Sequence, residues 1–289
     1  MRILPLLLTS TVFLFSTLHS RAEILVKTGE SIAFLGDSIT QFGGNNPGGY
    51  VRLVESGLAS QGVKVTVIAA GLSGNKSNDM LARLDKDVLS KKPTWMTLSC
   101  GVNDVMHGAK GVEFEPYKKN ITEILDRCQQ AGVKVVILTA TQIGLPVTNP
   151  ENVKLANYNA FLRETAKARN LPLADLNAAM VAEQAAFEKA GIKRALTGDG
   201  VHMNIYGNLV MAKGVLATFG LDQRQLEAVQ AKWNQAPDLF EATAKIKLSL
   251  PELAALEAHA ASQNKSAENM VTELSTNAVK AVVKGAPAK

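Results

Sequence analysis

Between residues 31 and 176 the chain keeps a rhythm that few architectures satisfy. Short apolar runs rich in β-branched residues alternate with longer stretches of helical periodicity. "SIAFLG" (31–36), "VKVTVIAAG" (63–71), "TWMTLSCG" (94–101) and "VKVVILTA" (133–140) read as strands, with "LPLADL" (171–176) as a shorter fifth. Helical patterns fall between them, near 49–60, 78–91, 115–131 and 152–169. The last has a clear start signal: Asn149 as N-cap, Pro150 at the first helical position and Glu151 in the first turn. Strands that are apolar on both faces and separated by helices belong to a parallel sheet covered on both sides. Such an α/β sheet binds ligands at the carboxyl ends of its strands.

The flanks are different in kind. Residues 1–22 read as a signal peptide: Arg2 gives a positive start, an apolar run spans Ile3 to Leu18, and Ser20 and Ala22 place small residues at the cleavage site. An uncleaved anchor is the competing reading, but the run is short for a bilayer and is interrupted by Pro5, Ser and Thr. The expected protein is therefore secreted or periplasmic. No later stretch is apolar and long enough for stable membrane insertion. Residues 23–221 are the expected domain that contains the rhythm. Residues 222–289 hold no strand pattern, as many acids as bases and much Ala, and "SLPE" at 249–252 is a capping box with Pro inside it. This last part is expected to be a helical C-terminal extension, with the final "KGAPAK" disordered.

Charge and cysteine exclude two classes. The formal net charge is +5 for the whole chain, and Arg2 and Arg21 leave with the leader while no acid does. The remaining charge is small and scattered, so nucleic acid is not the expected partner. Cys100 and Cys128 are the only cysteines, too few for a disulfide framework and without the companions of a metal site. Two buried thiols, no metal and no cofactor are expected.

The end of the first strand raises the functional question. The apolar run stops at Gly36-Asp37-Ser38, which places a serine hydroxyl where sites form in parallel sheets. Gly-Asp-Ser is also ordinary turn and cap chemistry. A hydroxyl becomes a nucleophile only when a base takes its proton. Apart from His19 in the leader, the histidines are His107, His202 and His259. His259 falls in the helical extension. His202 lies in "TGDGVHMN", with Asp199 three residues earlier, a spacing that lets one turn hold a carboxylate against the imidazole. Asp199 capping a helix that starts near Met203 is the alternative. Acyl transfer also needs donors for an oxyanion. The loop after the second strand offers the Gly71 N–H, and "SCGVNDVMHG" after the third offers the Asn103 amide. Each is weak alone; the four together, at successive strand ends, define a hydrolytic site.

In these blocks the chain resembles the SGNH hydrolase (GDSL esterase/lipase) superfamily, from about residue 30 to 215. "GDS" supplies Ser38, "AAGLSG" supplies Gly71, "GVND" supplies Asn103, and "DGVH" supplies His202 with Asp199. The resemblance implies a flavodoxin-like three-layer α/β/α sandwich with a five-stranded parallel sheet. It implies a Ser38 nucleophile, a His202 base and an Asp199 orienter, with the oxyanion held by the Ser38 and Gly71 N–H groups and the Asn103 amide. No Gly-x-Ser-x-Gly elbow is present, and "GLSGNKS" departs from a phosphate loop because Asn75 stands where a Gly should precede Lys76.

The expected substrate is a small-molecule or glycan ester, with acetylated carbohydrate favoured. The loop "QFGGNNPGGY" (41–50) is polar and glycine-rich, and no apolar lid is evident. Asp37, His107 and Tyr50 are candidate substrate-binding residues, Tyr50 as a stacking face or, more plainly, a packing residue at a helix start. A lysophospholipase- or thioesterase-type lipolytic enzyme is the alternative chemistry. A non-catalytic glycan-binding module is the alternative class, although such a copy is expected to have lost one of Ser38, Asn103, Asp199 or His202, and all four are present.

Overall fold

The computed structural model describes residues 23–237, 239–240 and 246–285. The expected leader, 1–22, lies outside the described residues, as does the end of the terminal stretch, 286–289. The described chain divides into two compact units between Phe240 and Glu241.

In the first unit, strands β1 (Ser31–Gly36), β2 (Thr66–Gly71), β3 (Trp95–Ser99), β4 (Lys134–Leu138) and β5 (Leu173–Ala174) form one parallel sheet in the order β2-β1-β3-β4-β5. All five fall inside the apolar runs. The central strands are buried on both faces, every residue of β3 included, which is why they carry no alternation of polar and apolar residues. Strand order doubles back at β1, whose neighbours β2 and β3 both follow it in sequence. A crevice opens at such a switch point, beyond the carboxyl ends of the strands.

The crossovers are helical: α1 (Ser38–Asn45), α2 (Tyr50–Ser60), α3 (Ser77–Asp87), α4 (Val102–Met106), α5 (Phe114–Gln130), α6 (Pro150–Ala168) and α7 (Leu176–Lys189), then α8 (Ile205–Thr218) and α9 (Gln223–Trp233). Helix α2 packs on α8, which also meets α7 and α9, while α3 packs on α5, so the sheet lies between two helical layers. The α6 start matches its signal in detail: the Asn149 side chain accepts the Asn152 N–H at 2.8 Å, with Pro150 in the first turn. Cys100 and Cys128 are both buried free thiols.

Helix α9 belongs to this unit. Val229 is fully buried and Trp233 is 5% exposed in the main core, so the compact unit runs through Phe240, beyond the boundary at 221/222 drawn from the strand pattern. The second unit comprises α10 (Leu250–Ser262) and α11 (Ala267–Gly285). Ser249 and Glu252 form the expected capping box, and Lys265 pairs with Glu273 at 2.5 Å. Lys284 and Gly285, expected to be disordered, close α11. No described helix is long and apolar enough to cross a membrane.

Candidate active site

Ser38 is the first residue of α1, with only Asp37 between it and β1. The turn is held by Asp37, whose Oδ1 accepts the Ile39 N–H at 2.9 Å and so caps the helix. Ser38 is 8% exposed. Its own N–H lies in the first helical turn, where backbone donors have no intrahelical partner.

His202 arrives from far along the chain. A bridge between Thr197 and Met203 closes the loop that carries it, and the Gly198 N–H donates to His202 O at 2.8 Å. Asp199 then binds the same loop twice, its Oδ1 accepting the Val201 N–H at 3.0 Å and the His202 N–H at 2.8 Å. Its other oxygen, Oδ2, lies 2.6 Å from His202 Nδ1, and His202 Nε2 lies 2.8 Å from Ser38 Oγ. Asn204, not Asp199, caps α8 by accepting the Tyr206 and Gly207 N–H groups, which leaves the Asp199 carboxylate to the imidazole. The His202 hydrogen bond is the main reason the Asp199 pKa falls to about 2. An ionised Asp199 accepts from Nδ1, so Nδ1 carries the proton and Nε2 is free to accept from the serine hydroxyl.

Asn103 occupies the first turn of α4, directly after β3, and is 4% exposed. Its amide donates one hydrogen to Asn75 O at 3.0 Å, and the second hydrogen has no partner among the described residues. The next residue, Asp104, accepts the Ser77 N–H at 2.9 Å. These two contacts fasten the loop after β2 to the loop after β3. Arg83 reinforces the same corner: its guanidinium donates to Gly36 O at 2.9 Å, Ala70 O at 2.8 Å and the Asn75 side chain at 2.5 Å. Its place in α3, with no motif around it, gave no local signal of that role.

Gly71 does not present an oxyanion donor. The Thr66 N–H donates to Glu30 O and the Leu72 N–H to Gly36 O. Successive N–H groups in a ladder point to opposite sides of the strand, so the Gly71 N–H points away from β1, off a strand that forms the sheet's edge. Gly71 is instead a packing glycine, since a Cβ there would come within 2.3 Å of Gln41 N on α1. Three residues on, Gly74 turns the loop at φ +77° with open space around it, and its N–H has no partner among the described residues. Sequence alone did not separate the two glycines.

The three candidate substrate contacts are also corrected or placed. Tyr50 is fully buried at the start of α2 and shares a 2.9 Å hydrogen bond with Thr40 Oγ1, so it is a packing residue and no stacking face. Asp37 is 2% exposed and is committed to its cap. Burial pushes its pKa up to about 6. His107 is exposed at the C-terminal end of α4. The aromatic ring beside the site is one the motifs did not mark: Phe42, one turn after Ser38, stands 5.0 Å from the His202 ring and is 43% exposed.

A family model described as GDSL-like lipase/acylhydrolase matches residues 34–209. The chain belongs to that family. Its fold and the order of its site loops agree with membership, and as a family member it is a carboxylic ester hydrolase. This GDSL-like chain is 25% identical over 221 residues to an acetylxylan esterase of Geobacillus stearothermophilus, spanning 68% of this chain and 97% of that one. Over 123 residues it is 30% identical to the esterase TesA of Pseudomonas aeruginosa, spanning 42% of this chain and 56% of that one. Among solved structures, the acetyl xylan esterase AlAXEase matches with a TM-score of 0.61 at 32% identity, over 65% of this chain and 98% of its own. The matched family segment ends before α9.

Proposed function

We propose that this chain is an exported esterase that removes acetyl groups from carbohydrate, with Ser38 as nucleophile. The observation that carries the proposal is the unbroken relay from Ser38 Oγ to His202 Nε2 at 2.8 Å and from His202 Nδ1 to Asp199 at 2.6 Å. Ser38 Oγ attacks the ester carbonyl carbon while His202 Nε2 takes its proton, and Asp199 stabilises the imidazolium that forms. The carbonyl oxygen becomes an oxyanion, held by the N–H groups of Ser38 and Gly74 and by the second amide hydrogen of Asn103. Collapse of the adduct breaks the ester C–O bond. His202 returns its proton to the departing sugar oxygen, leaving an acetyl group on Ser38. Water then attacks with His202 as base, and acetate leaves as Ser38 regains its proton.

Two observations support carbohydrate acetyl esters as the substrate. The relatives matched over nearly their whole length are acetylxylan esterases. The helix that carries Ser38 ends in a short loop, 46–49, of asparagine, proline and glycine, whose Asn46 and Pro47 are exposed. Export rests on the leader pattern of residues 1–22.

The test is release of acetate from acetylated xylan, set beside hydrolysis of p-nitrophenyl esters from short to long acyl chains, for native protein and Ser38→Ala. Native protein is expected to deacetylate xylan and to favour the shortest aryl ester, with Ser38→Ala slower by at least ~10⁴-fold. A rate that climbs with acyl length would reassign the substrate to lipid esters, because each buried CH₂ adds ~0.8 kcal/mol of binding. No turnover of any ester by the native chain would leave a non-catalytic glycan-binding module.

A further inference from the structure

Helix α1 presents a single stripe to solvent. Ile39, Thr40, Gly43 and Gly44 are buried and Ser38 is 8% exposed, and Ser38, Phe42 and Asn45 fall at i, i+4 and i+7 on one face, which opens to solvent from Phe42 onward. Phe42 is 43% exposed, and Asn45 is exposed. The stripe therefore starts at the Ser38 hydroxyl, passes the flat Phe42 ring beside His202, and ends at Asn45, ~10 Å along the axis at 1.5 Å per residue.

A cavity of about 700 Å³ opens at that far end. Asn45 and Pro47 form its lip, Arg52 and Glu55 of α2 one wall, and Trp233 and Leu239 its apolar side. The Arg52 guanidinium donates to Gly44 O at 2.8 Å and to Glu55 at 3.1 Å, so both side chains are held in place and the cation is already paired. Lys232 of α9 also lines the cavity, its Nζ 3.5 Å from Ser60 O. Polar groups beside an apolar surface suit a polyhydroxylated ring: hydroxyls meet the amide, guanidinium, ammonium and carboxylate, and C–H faces meet the apolar side. An acyl chain would instead lie against the charges of Arg52, Glu55 and Lys232. Trp233 and Leu239 lie beyond the family segment that ends at residue 209, so this wall is an addition to the family core.

We propose that the track from Ser38 past Phe42 into the cavity between α2 and α9 is a glycan subsite that binds sugar units neighbouring the acetylated one. The inference rests on the carbohydrate esterase reading above and deepens it: the enzyme prefers acetyl groups on a chain over those on a short sugar.

The experiment compares kcat/KM on acetylated xylobiose and acetylated xylohexaose, with p-nitrophenyl acetate as the reporter of chemistry at Ser38. Native enzyme is expected to favour the hexaose. Asn45→Ala and Glu55→Ala should each lower the hexaose-to-biose ratio about three- to tenfold, the scale of one lost hydrogen bond. Ala236→Trp, which fills the cavity from its rim, should lower the ratio in the same direction, so the proposal does not hang on any one variant folding. Melting temperatures check that each variant is folded. A flat ratio in native enzyme, or a ratio that all folded variants leave intact, overturns the subsite while leaving the deacetylase reading in place. Turnover of p-nitrophenyl acetate with neither acetylated oligosaccharide consumed overturns both.

Discussion

Asp37 and Asp199 lie on either side of the Ser38–His202 pair, and their surroundings push them in opposite directions. Asp199 is largely exposed, bound to His202, and ionises near pH 2. Asp37 is sealed from water, and burial outweighs the Ile39 N–H it accepts, so it ionises near 6, with Asp104 nearby adding repulsion. An unfolded Asp ionises near ~3.9. Between about pH 4 and 6 the folded chain thus holds a proton at Asp37 that the unfolded chain has released, and stability falls as pH rises through that window. Asp37→Asn keeps an acceptor for the cap and removes the titration. Native protein is therefore expected to lose on the order of 2–3 kcal/mol relative to Asp37→Asn between pH 4 and pH 6.5, with no further relative change above it. Urea denaturation of both proteins across that range measures the difference. A gap that stays constant from pH 4 to 7 would mean that Asp37 does not take up its proton there.

At the scale of elements, the position of Ser38 depends on how closely α1 approaches β2. A Cβ on Gly71 would lie 2.3 Å from Gln41 N and 2.7 Å from Thr40 C, both backbone atoms that no rotamer change can clear. Gly71→Ala must push α1 outward, and Ser38 moves with it while His202 stays with its own loop. Overpacking of this kind costs about 1–3 kcal/mol, and a shift approaching 1 Å at a reacting atom can cost ~10²-fold in rate. Gly71→Ala is expected to lower both the melting temperature and the turnover of p-nitrophenyl acetate. Native values of both would show that this contact does not position the nucleophile. The same helix marks the limit of what the sequence made legible. The strands, the Asn149-Pro150 start and the Asp199–His202 pair follow from residue type and local spacing, so they could be read directly, and the resemblance in the blocks joined that pair to Ser38. The choice between Gly71 and Gly74 turns on ladder phase and on β2 being the sheet's edge, which no local pattern encodes. Phe42 and Tyr50 both fall in the stretch "QFGGNNPGGY", and only packing decides that Tyr50 finds Thr40 while Phe42 faces solvent. Helix α8 gave no periodic signal because Leu, Val, Met, Ala and Gly surround most of its circumference.

Across the whole molecule, the site depends on strand order. Because β1 and β3 are neighbours, Ser38 and Asn103 leave adjacent strands, and the His202 loop is tied back to the loop after β4 by the Gly144 N–H, which donates to Gly200 O at 2.6 Å. All of this lies in the unit that runs through Phe240. Helix α9 is part of that unit's core: Val229 is fully buried, and the space beside Gly57 of α2 is occupied by Leu216 and Val229. Removing α9 would delete the buried Val229 and Trp233 and uncover the core they cover, a loss of several kcal/mol at ~1.5–3 kcal/mol per large buried side chain. The second unit buries only Ala260 and Met270 among its described residues and exposes Leu250, Val279 and Val282, too little core for so short a segment to stabilise itself. Two truncations separate these roles. A chain ending at Phe240 is expected to melt within about 3 °C of full length and to hydrolyse p-nitrophenyl acetate at the native rate. A chain ending at Leu221, the domain boundary expected from the sequence, is expected to melt far lower or fail to fold. Circular dichroism melts and size-exclusion profiles of the two read the outcome. Equal stability of the two truncations would mean that α9 is dispensable and that the catalytic unit closes before it; loss of fold in both would mean that the last two helices are part of what holds the sheet together.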